Sequence, residues 1–157
     1  MRISFDLDDT LVLHAPDSNR EIGQWPRLIR RLRNEPLRLG TCALFGQLRQ
    51  RACNIWIYTT SGRTPFYIRS WLYLYGIRVD GIVNEERHLR EMAGRRFARV
   101  PSKFPPAFGI DLHVDDSEGV LMEGREYGFQ VVVVGQADQL WTQKVLEAVD
   151  RVYSKVP

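Results

Sequence analysis

Three carboxylates in four positions follow directly on an apolar run: in MRISFDLDDTLV, Asp6, Asp8 and Asp9 come straight after Ile3–Phe5. Like charges so crowded repel one another and resist burial, so a chain that sets them at the end of an apolar run needs a cation beside them. Two more acids, Asp115 and Asp116, follow the apolar stretch in IDLHVDDS, and the hydroxyls Thr59, Thr60 and Ser61 close IWIYTTSG. Lys103 sits in PSKFPP, and it is one of three lysines against nineteen arginines, so it stands out. Hard oxygen donors favour Mg²⁺, which keeps several waters and shares its shell with a substrate phosphate. A carboxylate can attack phosphorus, and a hydroxyl and an ammonium can steady charge on the transferred group. On residue type alone, the acids are a metal-anchored acceptor for a phosphoryl group.

Such residues act together only if the fold gathers them. Ile3–Leu7, Ile55–Thr59, Gly81–Val83, Leu112–Val114 and Phe129–Val134 have the length and composition of buried strands. Between them, 41–52 carries apolar residues at helical spacing, with Leu44, Phe45 and Leu48 on one face. Thr64-Pro65 is an N-cap followed by Pro at the first helical position, opening a helix that Gly76 ends. Helices over 118–127 and 138–154 complete the series, the last with Leu140, Trp141, Val145, Leu146 and Val149 inward. Alternating strands and helices predict an α/β fold: a Rossmann-like three-layer sandwich with a mainly parallel five-stranded sheet. In such sheets functional groups collect outside the carboxyl ends of the strands, where the acids, the hydroxyls and Lys103 all fall.

FDLDDTL, IWIYTTS, Lys103 and HVDDS, in that order, resemble the four motifs of the haloacid dehalogenase-like (HAD) superfamily, over residues 2–135. The first motif of that family, D-x-D-x-T or V after an apolar strand, is met by Asp6, Asp8 and Thr10. The resemblance implies Asp6 as nucleophile. It implies Asp8 as the acid that protonates the leaving oxygen and then activates water. Thr59, or Thr60 one position on, would bind the phosphoryl group. Lys103 would neutralise nucleophile and phosphoryl oxygens. Mg²⁺ would be held by Asp6, Asp115, Asp116 and the backbone carbonyl of Asp8; which of Asp115 and Asp116 touches the metal is open.

Two intervals, 14–38 and 84–103, break the alternation and are rich in arginine: Arg20, Arg27, Arg30, Arg31, Arg33 and Arg38 in one, Arg87, Arg90, Arg95, Arg96 and Arg99 in the other. Most such charges form solvated faces; the alternative is that some clamp a phosphorylated substrate. In the resembled family, cap insertions arise in these two intervals. Both are short, which implies a minimal cap, an open site and one domain over 1–157. Open members of the family often act on large substrates, so a nucleotide, a nucleic-acid end and a phosphoprotein all stay in view beside small molecules.

With 157 residues, 44% hydrophobic and 26% charged, the chain has the composition of a folded domain, and its +3 charge permits anionic partners without naming one. The longest aliphatic run, Val131–Val134, is too short to span a bilayer. Cys42 and Cys53 have no metal or disulfide pattern, which fits a reducing cytoplasm. His14, His88 and His113 lack ligand spacing, and His113, within a strand, reads as a satisfied core histidine. The reading is therefore a Mg²⁺-dependent phosphatase working through an aspartyl-phosphate. Its rival is a non-catalytic module that binds Mg²⁺ or a phosphorylated partner. A response-regulator receiver would need its phosphorylated Asp after the third strand, where this chain has Asn84.

Overall fold

Side chains two apart in a strand share a face, and here that alternation assigns every central strand two different jobs. In the computed structural model, which describes residues 1–14, 20–23 and 35–154, five strands form one wholly parallel sheet in the order β3-β2-β1-β4-β5. They are β1 (Arg2–Phe5), β2 (Asn54–Tyr58), β3 (Gly81–Val83), β4 (Leu112–Asp115) and β5 (Val131–Val133). The predicted strand positions agree, with ends shifted by a residue or two. Leu7 leaves the sheet because its carbonyl accepts the N–H groups of Thr10, Leu11 and Val12 and so closes a turn.

Ile3 and Phe5 of β1, Ile55 and Ile57 of β2 and Leu112 and Val114 of β4 form one face. Three helices cover it: α1 (Thr41–Gln50) with Leu44, Phe45 and Leu48; α2 (Pro65–Tyr73) with Ile68, Trp71 and Leu72; and α5 (Trp141–Tyr153) with Trp141, Val145, Ala148 and Val149. Thr64 caps α2 as its sequence predicts, its side chain accepting from the Tyr67 N–H at 3.2 Å. Leu140, expected inside α5, is instead exposed and precedes the helix.

The opposite face carries Ser4, Tyr58 and His113, polar groups sealed from water, with Phe108 and Ile110 packed on Tyr58. Against this side lie α3 (Glu85–Met92), a short 3-10 turn (Pro105–Phe108) and α4 (Glu118–Tyr127). The helix α3 corrects the expectation for 84–103, which reads as irregular because six of the eight helical positions, all but Leu89 and Met92, are polar; only His88 and Met92 are buried. Asn84 caps it, accepting the Arg87 N–H at 3.2 Å, and Glu85 and Glu86 favour its positive end.

The edge strand β3 sits close to its neighbour. A Cβ on Gly81 would lie 2.3 Å from the Trp56 ring, so only glycine admits that indole. Of the first arginine-rich interval, Trp25, Arg27, Arg30, Arg31 and Arg33 lie outside the described residues. Arg38 is no solvated charge: it is buried, stacks 4.6 Å from the Trp141 ring centroid, and donates to the carbonyls of Thr10, Gly135 and Asp138.

Candidate active site

The carboxyl ends of β1, β2 and β4 meet because these three strands are neighbours at the sheet centre. Asp6 leaves β1 with its N–H bonded to Val114 of β4, and its side chain is nearly enclosed. Into that enclosure comes Lys103. Its Nζ donates to Asp6 Oδ1, donates to the Tyr58 carbonyl at 2.7 Å, and lies 3.8 Å from Asp115 Oδ2. An ammonium this buried persists only with acceptors on several sides. Burial raises the Asp6 carboxyl to about 7; Asp115 and Asp8 add to the rise and Lys103 opposes it. One lysine does not balance the acids it faces.

Asp115 is held from behind. His113 Nε2 lies 2.9 Å from its Oδ2, His113 Nδ1 lies 2.8 Å from Ser4 Oγ, and Ser117 N–H donates to Oδ1 at 2.9 Å. Burial keeps His113 neutral, so Nε2–H donates to Asp115 and Nδ1 accepts from Ser4. Burial pushes Asp115 upward, but the His113 bond, Lys103 and the Ser117 N–H together hold it below the usual carboxylate range. Asp116 is half-buried and accepts from Thr10 Oγ1 at 3.2 Å. Burial and the Asp115 charge raise it.

Asp8 faces elsewhere. The turn after β1 puts Asp9 in the left-handed region, φ 60°, which aspartate tolerates. Asp8 then receives both Nη groups of Arg63 at 2.8 Å, with His14 Nε2 at 3.5 Å. Burial would raise its carboxyl, but Arg63 and His14 outweigh that and lower it. Arg63 in turn is held by Glu35, Nε to Oε1 at 2.9 Å. Glu35 is fixed through its carbonyl, which accepts from Trp71 Nε1 at 2.9 Å and from Tyr75.

Thr59 is enclosed, and its Oγ1 accepts the Ser61 N–H at 3.1 Å. Thr60 is exposed. Among the described residues, the buried Ser61 Oγ and Glu35 Oε2 have no hydrogen-bond partner. Of the residues singled out by sequence, Asp6, Lys103 and Asp115 are thus brought together, with Asp116 and Thr59 beside them. Asp8 is paired off with Arg63. The sequence reading missed Arg63, Glu35 and Tyr58. The SGR that follows the second strand was the one available signal for Arg63.

The donors fit a hard cation by type and charge: oxygen ligands only, with Asp6 and Asp116 both raised by burial first and by the neighbouring acids second. Among the described residues, no three His, Cys, Asp or Glu side chains group as a metal site. Mg²⁺ asks for one or two carboxylates, the rest of its shell being water and substrate oxygen. Asp6 and Asp116 are the first candidates to hold it; Asp115, whose two oxygens each already accept a protein hydrogen bond and keep one lone pair, is the weaker candidate.

No family model matches the chain, and no curated protein matches it. Among solved structures, it is similar to a chain in the structure of a Pnkp1/Rnl/Hen1 complex, with 17% identity and a TM-score of 0.53 over 87% of this chain. The shared feature is the fold. This chain spans about half, 46%, of the length of that one. It is also similar, with 13% identity and a TM-score of 0.47, to a predicted HAD-like family hydrolase from Porphyromonas gingivalis, covering 98% of each chain. Among the described residues, no helix is long and apolar enough to cross a membrane.

Proposed function

We propose that the chain is a HAD-like, Mg²⁺-dependent phosphatase with a minimal cap. It would hydrolyse a phosphomonoester through an aspartyl-phosphate on Asp6. The observation that carries this reading is the enclosed Asp6–Lys103–Asp115 cluster at the carboxyl ends of the central strands. A carboxylate and an ammonium shut away from water gain catalytic weight, because charges interact more strongly there.

In the first step an oxygen of Asp6 bonds to phosphorus as the ester oxygen departs. Asp8 supplies the proton that the departing oxygen takes. In the second, Asp8 accepts a proton from water, whose oxygen attacks phosphorus and releases Asp6 and inorganic phosphate. Lys103 offsets charge on Asp6 and on the phosphoryl oxygens throughout. Thr59 orients the phosphoryl group, with Thr60 the less enclosed alternative. Bound Mg²⁺, held by Asp6 and Asp116, would draw charge off the phosphoryl oxygens.

A second reading has its own support: Asp8 is ion-paired to Arg63, and an acid held ionised cannot protonate a leaving group. On that reading the same crevice binds Mg²⁺ or a phosphorylated partner without turnover. The test is phosphate release from nucleotides, sugar phosphates, phosphopeptides and a 3′-phosphorylated oligonucleotide, with Mg²⁺ and with chelator. Mg²⁺-dependent release that Asp6→Asn abolishes supports the phosphatase and names its substrate class. Metal-dependent ligand binding without release supports the binding module.

A further inference from the structure

The segment that carries Lys103 has no strand or helix of its own, yet three separate elements hold it. Glu123 of α4 accepts the Ser102 N–H at 2.8 Å through Oε1, and through Oε2 accepts the Ser102 hydroxyl at 2.7 Å and the Lys103 N–H at 3.2 Å. On the other side, the Tyr58 hydroxyl at the end of β2 accepts the Phe104 N–H at 2.8 Å. That hydroxyl donates its own proton to Nδ1 of His88 on α3, 2.6 Å away. Burial keeps His88 neutral, as an acceptor must be, and the imidazole also bonds the Pro101 backbone. Tyr58 meets the lysine twice more, with its carbonyl on Nζ at 2.7 Å and its ring centroid 5.2 Å from Nζ.

These bonds fall on the residues either side of Lys103 and on its own N–H, so they set where its side chain starts. Lysine has a long, entropically costly stem and a strongly hydrated head. Left on a free loop, it would reach for water and not for the enclosed Asp6. We infer that Glu123 and Tyr58 are positioning residues for Lys103, locking the 101–104 segment so that the ammonium is in place before substrate arrives. The inference rests on the phosphatase reading for its kinetic consequence, since preplaced charge is what accelerates phosphoryl transfer.

Two measurements test it. The first is a double-mutant cycle on phosphate release. Glu123→Gln should lower kcat by roughly ten- to a hundredfold, as small misplacements of a catalytic group do, with little change in KM. The same substitution added to Lys103→Ala should cost nothing further, because its effect runs through that lysine. Equal losses in both backgrounds would mark a merely structural role and overturn the inference. The second is the ¹⁵N signal of the lysine ammonium groups, which is tractable with three lysines in the chain. Lys103, buried and hydrogen-bonded, should exchange slowly with water and give a sharp signal. That signal should broaden or vanish in Glu123→Gln and in Tyr58→Phe, while the half-exposed Lys144 is unaffected. An unchanged Lys103 signal in folded variants overturns the inference. If the wild type released no phosphate from any substrate, the phosphatase reading would fall, and the ammonium signal would decide the positioning by itself. Glu123 is partly exposed and Gln is isosteric, so that variant folds even if Tyr58→Phe does not.

Discussion

Arg63 grips Asp8 with both ends of its guanidinium, Nη1 on Oδ2 and Nη2 on Oδ1, each at 2.8 Å. This is the bidentate geometry that a carboxylate and a phosphate both accept. The same guanidinium also reaches Glu35, Nη2 to Oε1 at 2.8 Å, so Arg63 ties the Asp8 carboxylate to Glu35 and fixes its orientation. Replacing Arg63 by Ala should lower kcat/KM, and Arg63→Lys should not restore it, since an ammonium cannot span Asp8 and Glu35 together. The lost charge-assisted bonds should also cost about 1–2 kcal/mol of stability, the lower part of the usual range because Asp8 is substantially solvated. Steady-state kinetics and urea unfolding check both. A rise in kcat would mean that the pair holds Asp8 out of the reaction.

Asp6 should be a stability liability in metal-free protein. Its folded value, about 7, lies above the ordinary 3.8 because burial penalises the ionised form. Stability is therefore lost as pH climbs from about 4 to about 7, and the full penalty persists above that. Asp6→Asn removes the titration. With chelator present, the variant should melt above the wild type at pH 8, and its advantage should shrink toward pH 4.5, while phosphate release falls to background. Melting curves across that range check it, and a pH-independent difference would contradict the argument.

His113 should matter more to Asp115 than its place in a buried strand implies. His113→Phe fills the space but leaves the Asp115 carboxylate and the Ser4 hydroxyl without their partner in a sealed part of the sheet. A buried polar pair broken from one side costs about 2–4 kcal/mol. Ser4→Ala removes one neutral bond and should cost about 1 kcal/mol. Denaturant midpoints rank the two; near-equal values would mean that Asp115 finds water in place of the imidazole.

The sheet and the convergence at its carboxyl ends were legible because apolar runs such as Ile55–Ile57 and Leu112–Val114 are buried on both faces and so read as continuous strands. Asp6, Lys103 and Asp115 were legible because acids and a rare lysine beside such runs have few structural uses. Arg63 was not, since one arginine among nineteen carries no compositional signal. What singles it out is the partner it meets across 55 positions of chain. Tyr58 and Glu123 were hidden for a different reason: each acts through backbone groups of 102–104, and contacts to backbone leave no trace in the partner's residue type. The α3 helix escaped because only one narrow stripe of it, His88 and Met92, faces the core.

Metal binding gives a test that separates the acids from one another. Asp115 has both oxygens occupied by protein donors, and Asp8 has both occupied by Arg63. Asp116 accepts from Thr10 through Oδ1 and, like Asp6, is raised by burial and, after it, by the charge of Asp115. Mg²⁺ at a hundredfold its Kd should then stabilise chelator-treated protein by about 2.7 kcal/mol, several degrees in melting temperature for a chain of this size. Asp116→Asn should abolish that rise. Asp8→Asn should keep it, because the side chain of Asp8 is committed to Arg63 and only its backbone carbonyl is left for the metal. The two variants need only thermal melts with and without Mg²⁺. Loss of the shift in Asp8→Asn, with retention in Asp116→Asn, would reverse the assignment and imply that Arg63 releases Asp8 when the metal binds.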